Sequence, residues 1–197
     1  MALTKTTSID EIDAWQKVDA GTLTVGNADA INDSFETALY IEAALTDTDA
    51  SDGIEIIVEV SYADDNWVAL TTLKGTAETA ATTTINDGTV TAGDTTITLT
   101  DATTGDFDVP GRKWFIVDGT VANSESVRTV VNAVHTVTLC QDLLRNHADS
   151  LNVYDRVDEW VIEIPFAAAQ VRVLYNNVDA DADYHVTMRI SKVTALS

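Results

Sequence analysis

The sequence predicts an all-β fold: an antiparallel β-sandwich, jelly-roll-like, with a small β-barrel-like module inserted in it. Three observations lead there. First, the long apolar segments alternate with period two. In "GIEIIVEVSY", Ile54, Ile56, Val58, Val60 and Tyr62 share one face, while Glu55, Glu59 and Ser61 fall on the other. In "YHVTMRIS", Tyr184, Val186, Met188 and Ile190 alternate with His185, Thr187, Arg189 and Ser191, the pattern of antiparallel strands with one buried and one wet face. Second, Val, Ile, Thr and aromatic residues dominate these runs, and Gly, Asp and Asn turns separate them. Third, helical periodicity is scarce.

Taken in order, the chain opens on "SIDEIDAWQKV". Ser8 and Glu11 stand at capping-box spacing, and Ile9, Ile12 and Trp15 share a helical side. So short a terminal segment makes a marginal helix or a loose arm. Residues 1–19 are therefore read as an N-terminal arm outside the sandwich. An exposed Trp on such an arm is a good anchor for a neighbouring subunit, which makes Ile9, Ile12 and Trp15 the candidate partner-binding residues. "FETALYIEAAL" and "GIEIIVEVSY" follow as strands. From Leu73 to Thr95 the chain turns Thr-, Ala- and Gly-rich, as a linker or surface crossing does. "TTITLT", "KWFIVDG" and "SVRTVVNAVHTVTL" are strand candidates after it, and "CQDLLRNHADS" has room for one helical turn. "EWVIEIPF", "QVRVLYN" and "YHVTMRIS" resume long strands. The parse is a discontinuous sandwich, residues 20–83 and 158–197, holding an inserted β module, residues 84–157. Insertions of this kind are tolerated at surface loops because the ends of a compact module lie close together.

The segment "TTGDFDVPGRKWFIVDG", residues 103–119, gathers acids, bases, a Trp and turn residues. Turn chemistry accounts for it. Pro110 fixes φ and Gly111 permits φ > 0, Asp118-Gly119 is a hairpin signal, Trp114 and Ile116 face a core, and Arg112 and Lys113 lie at the rim.

Charge and motifs narrow the function. Against 32 Asp and Glu stand 11 Lys and Arg, a formal charge of −21. That field repels phosphate backbones, so no nucleic-acid partner is expected. It suits a solvated surface or a partner with a basic face. No apolar run spans a bilayer and no secretion signal is readable. The single cysteine, Cys140, excludes an intrachain disulfide and reads as a small buried hydrophobe without a neighbouring base. Asp179, Asp181 and Asp183 begin like a calcium loop, but positions 6 and 12 hold Tyr184 and Ile190 where an EF-hand needs Gly and Glu. A solvated turn is expected there, and likewise at Asp47, Asp49 and Asp52. His135, His147 and His185 lack metal-ligand spacing; His185 falls on the polar phase of its strand, and His147 is placed to cap the "DLLRNH" corner. No P-loop, GxGxxG, GxSxG or HExxH string occurs. No catalytic residue, metal or cofactor is assigned.

The run from "TTITLT" to "LNVYD" resembles a small β module that recurs in tailed-bacteriophage virion proteins. The shared features are Gly105, Phe107, Val109, Gly111, the step Asn123-Ser124-Glu125, Thr138-Leu139, Leu143-Leu144, His147 and Val153; Pro110, inside the turn, departs from the pattern. The flanks "VEVSYADDNWVAL" and "VIEIPFAAAQVRVLYNN", with Trp67, Arg172 and Tyr175, resemble the sandwich of phage capsid decoration (cement) proteins. The resemblance implies a non-enzymatic protein on the outer capsid surface of the virion. It would bind across major capsid protein subunits, stabilise the head, and act as a homo-oligomer, a trimer at local threefold axes. Two other roles fit the same sequence: a tail, baseplate or head-fibre component, and a carbohydrate-binding sandwich, which would line up aromatic residues on a solvent-facing sheet.

Overall fold

The computed structural model describes residues 5–31, 36–47, 50–63, 66–103, 105–107 and 109–196. Its regular elements are strands, apart from a 3-10 turn at Val121–Asn123. Two sheets make the sandwich. The first runs β1 (Lys5–Val18), β15 (Tyr184–Leu196), β4 (Glu36–Leu45), β13 (Val157–Ile164). The second runs β2 (Leu23–Val25), β14 (Gln170–Asn177), β5 (Ile54–Ser61), β6 (Trp67–Lys74), with the short β3 (Asp29–Ala30) also on β14. Counted one to eight without β3, these strands stand 1-8-3-6 and 2-7-4-5, all neighbours antiparallel. That order is a jelly roll, two sheets wound from Greek keys.

The inward phases meet as expected. Ile54, Ile56, Val58 and Val60 pack with Val171, Val173 and Tyr175 of the second sheet against Leu39, Ile41, Val186, Met188 and Ile190 of the first. Tyr62 lies past the end of β5 and is exposed. The second sheet's outer face mixes polar pairs, Arg172 with Glu59 and Asn176 donating to Glu55, with an apolar row of Val25, Leu174 and Ile57 and the exposed Leu23. The first sheet differs: its outward His185 and Thr187 are buried too, because the inserted strands lie over them.

Those strands form a third, curled sheet of six: β7 (Thr82–Thr84), β12 (Asn152–Tyr154), β9 (Lys113–Ile116), β10 (Glu125–Ala133), β11 (Thr136–Leu139) and β8 (Thr96–Thr98). They leave the jelly roll after its fifth strand and return at its sixth. Their own core holds Ile97, Leu99, Phe107, Trp114, Ile116, Val127 and Val137. The Trp114 indole N–H donates to Thr129 Oγ1, and that hydroxyl donates to the Phe107 carbonyl (both 2.9 Å). Asp155 holds both chain crossings. It accepts the N–H of Ala81 (2.8 Å) and of Asp106 (2.9 Å). Gly105 sits against Asp155 and Ala81 at φ +68, where a Cβ would collide with both.

Several expectations are corrected. Residues 5–18 are no helix or arm but the first jelly-roll strand, paired along its length with β15. Irregularities between Glu11 and Gln16 break its period-two pattern, which hid the strand. "CQDLLRNHADS" forms bends and turns without a helix. Asp118-Gly119 leads into the 3-10 turn instead of a two-residue hairpin; Asp118 accepts the Thr120 N–H and its own N–H donates to Ser124.

Candidate functional site

The outer face of the first sheet can be read as rows across β15, β4 and β13, because the register fixes which residues stand side by side. One row is Thr187, Glu42, Glu159. The next is Arg189, Tyr40, Val161, and the third is Ser191, Ala38, Glu163, extended on β1 by Ile9 opposite Ser191.

The insert covers the first row and the end beyond it. Phe115 packs at a tilt against Trp15, ring centroids 4.4 Å apart, and against His185 at 5.3 Å. Glu42 is fully buried; it ion-pairs with Lys113 and accepts from Ser126 Oγ at 2.7 Å. Lys113 is thus mostly buried at this junction and not at a rim. It also donates to the Tyr40 hydroxyl (2.6 Å), and Tyr40 and Arg128 both donate to Glu159 (2.6 Å each). Burial opposes ionisation of Glu159, but these donors and Lys113 outweigh it and hold its carboxyl down to about 2. Burial pushes the His185 imidazole down to about 4; Lys17 adds to that, and Thr46 Oγ1 lies 3.1 Å from Nδ1. The expectation of an exposed His185 is corrected, since its polar phase faces the insert.

Beyond Tyr40, which Lys113 reaches, the remaining rows are uncovered. Ala38 and Ser191 are small, so the face is hollow there. A cavity of about 350 Å³ lies over them, walled by Val161, Glu163, Phe166 and Val193. A second hollow of about 230 Å³ continues it between Ile9, Tyr40 and Arg189. Val161, Ile9 and Phe166 are 69%, 73% and 76% exposed. Apolar side chains bared together on so acidic a molecule mark an interaction face.

The other candidates are structural. A polar cleft of about 220 Å³ gathers Asp106, Arg112, Lys113, Asp155, Arg156 and Asp158. Its charges serve the chain itself: Arg156 pairs with Asp106 and Asp155, Arg112 with Asp106, and Asp158 accepts from Thr76. Asp179 is buried, not solvated. Its carboxylate accepts the backbone N–H groups of Ser51, Asp52, Asp181 and Ala182. Burial raises its pKa, but the four donors prevail and hold it far below the usual carboxylate range. Asp183 pairs with Lys17 (2.6 Å), and Asp181 is exposed. Asp49 lies outside the described residues. Among the described residues no three His, Cys, Asp or Glu side chains converge as metal ligands.

His147 is buried, with Nε2 3.2 Å from Glu125 Oε2, and Glu125 Oε1 accepts the Leu144 N–H at 2.8 Å. His135 and Cys140 are exposed, the latter a correction: Cys140 sits at the outer end of β11 and its thiol donates to the Thr129 carbonyl. The tryptophans are also placed. Trp15 and Trp114 are buried, Trp160 packs against the sandwich core, and the Arg172 guanidinium covers Trp67 at 4.2 Å. Of the three residues proposed for an arm, Trp15 is a junction anchor, Ile9 borders the open groove, and the Ile12 side chain lies outside the described set. The sequence reading missed Val161, Phe166 and Tyr40. Val161 did carry a signal, an apolar residue on the outward phase between Glu159 and Glu163.

No family model and no curated protein matches the sequence. Among solved structures, the crystal structure of A. japonicus CB05 aligns over 94% of this chain at 10% identity and a TM-score of 0.31; the chain spans 26% of that protein's length. VP17, a capsid protein of bacteriophage P23-77, aligns over 99% of this chain and 100% of its own, at 7% identity and TM-score 0.21. The Gt strain of infectious bursal disease virus gives 12% identity and TM-score 0.19 over 95% of this chain and 40% of that one. At these scores the likeness does not establish a shared fold.

Proposed function

We propose that this chain is a non-enzymatic structural protein of a phage virion, a capsid decoration protein that binds across major capsid protein subunits on the head surface. The observation that carries the reading is where the residues of the virion-module resemblance sit. Phe107 and Val153 are in the insert's core; Gly111 occupies its turn at φ +82; buried Glu125 and His147 lie 3.2 Å apart, and Glu125 accepts the N–H of Leu144, whose side chain is exposed. These residues build the module, so the resemblance concerns a packed unit and not scattered letters. The jelly roll beneath is an architecture that viral capsid domains share with lectins and cupins, so it supports the reading only by analogy. The mechanism would be surface burial repeated over a lattice, with the acidic surface meeting basic patches on the shell.

The test is the copy number of this chain relative to the major shell protein in purified particles, by quantitative mass spectrometry. A ratio near one to one supports decoration. A handful of copies moves the chain to a tail, baseplate or fibre, and absence from particles ends the virion reading.

A further inference from the structure

The insert carries a second bare apolar feature, the hairpin of β10 and β11. Val130 and Val131 are both about half exposed, at a register shift that interrupts the two-residue alternation of β10. Along its far edge the hairpin end is tied into the third sheet, where β11 pairs with β8 as far as Thr136 and the Leu99 N–H donates to the His135 carbonyl (2.9 Å), so the bare part is Val130, Val131 and the turn itself. At its apex Ala133 pairs with Thr136, leaving Val134-His135 as a two-residue turn. Val134 takes φ +67 at the first turn position, where such turns favour Gly, and is 71% exposed. A β-branched residue there is unfavourable both for the backbone and for solvation, so local stability does not account for it. The sequence around it is also unusual for this chain: no Asp or Glu occurs between Glu125 and Asp142.

The hairpin's direction decides what it can reach. Ser126 bonds Glu42 on β4, and two residues later Arg128 bonds Glu159 on the adjacent β13. Strand β10 therefore runs across the first sheet along the Glu42–Glu159 row, from β4 toward β13, and not along the strands toward the chain's own groove. We infer that the Val131–Val134 tip seats in the Val161–Phe166 groove of a second copy, a head-to-tail contact. One contact then covers the groove and the hairpin tip. It also sets an acid-free tip bearing His135 against a rim that includes Glu163. Contacts of this kind are heterologous, closing rings or extending into filaments. The inference does not depend on the virion reading, because it concerns the purified chain alone.

Sedimentation velocity tests it from about 1 to about 300 μM, a range that spans micromolar dissociation constants. The wild type is expected to shift to larger species as concentration rises. Val134→Asp on the tip and Val161→Asp in the groove are each expected to weaken association at least about tenfold. Both sites are solvent-exposed, so folding should persist. Val134→Gly is the control for folding: it relieves the left-handed strain, so it should melt no lower than wild type while losing association. Mixing Val134→Asp with Val161→Asp leaves one intact tip and one intact groove, and should give a dimer and nothing larger. A wild type that stays monomeric throughout, variants that associate like wild type, or a mixture as inert as its parts would each overturn the proposal. So would a monomer that binds purified shells through this groove, which would assign the groove to the shell protein.

Discussion

At the residue scale, two buried titratable groups set separate pH windows. His185 is neutral between Phe115 and Thr46, with Lys17 and Asp183 nearby. Its ordinary value of 6.5 falls to about 4 on folding. Between those values the unfolded chain binds the extra proton, so stability rises with pH there. The contribution is intact above 6.5 and erodes as pH falls toward 4, by up to about 3 kcal/mol. His185→Gln should flatten urea-derived stability across that window. Asp179 acts lower. Its folded pKa lies below the ordinary 3.8, so its contribution is present above that value and is lost as pH falls through the folded one. Asp179→Asn keeps one accepting oxygen but sets its NH2 against two of the four backbone donors, and should cost about 2–4 kcal/mol at neutral pH, with the deficit shrinking under acid. Equal deficits at pH 7 and pH 3 would refute this account.

At the element scale, β1 shows where sequence reading stops. Strands β5 and β14 were legible because each buries one phase and wets the other. Strand β1 is bulged, and its buried Asp13, Trp15 and Val18 fit no single period. The capping-box spacing of Ser8 and Glu11 was real, but the local signal lost to pairing with β15. The polar phase of β15 misled for a related reason: its cover is a module placed elsewhere in the sequence, and pattern alone does not reveal a third layer. The groove was half legible, through Ile9 and the outward Val161, while its hollow floor needed the register that sets Ala38 beside Ser191. The corrected role of β1 makes a prediction. Trp15→Ala should cost about 3–5 kcal/mol in chemical denaturation, as a cavity at the junction. Removing residues 1–19 should abolish cooperative unfolding, since it takes a sheet edge strand with it; a truncated chain that melts like the full one would restore the arm.

At the scale of the whole molecule, the insert is both a passenger and a lid. It leaves and re-enters the jelly roll at nearly one point: Asp158 accepts the Thr76 hydroxyl at 2.8 Å, and Asp155 accepts the Ala81 N–H. A short Gly-Ser link replacing residues 78–156 would therefore bridge the gap without stretching either sheet. The jelly roll keeps its own core apart from Ala80 and the partly buried Tyr154, which the excision removes. It should fold alone, but at a cost that can be assigned. Excision bares Trp15, Ala44 and His185 and removes the Lys113 partner of buried Glu42. Apolar exposure of that kind costs several kcal/mol at about 25 cal/mol per Å². The unpaired Glu42 is then wetted, and its carboxylate no longer needs a cation. The excised chain should retain β-type circular dichroism, melt well below the full chain, and bind a hydrophobic dye at the newly bared rows. Replacing Trp15 by Thr and Ala44 by Lys in the excised chain should then lower dye binding with little further loss of stability. An excised chain as stable as the full one would mean that the third sheet contributes nothing to the first. The junction of Phe115, Trp15 and His185 would then be contact without consequence.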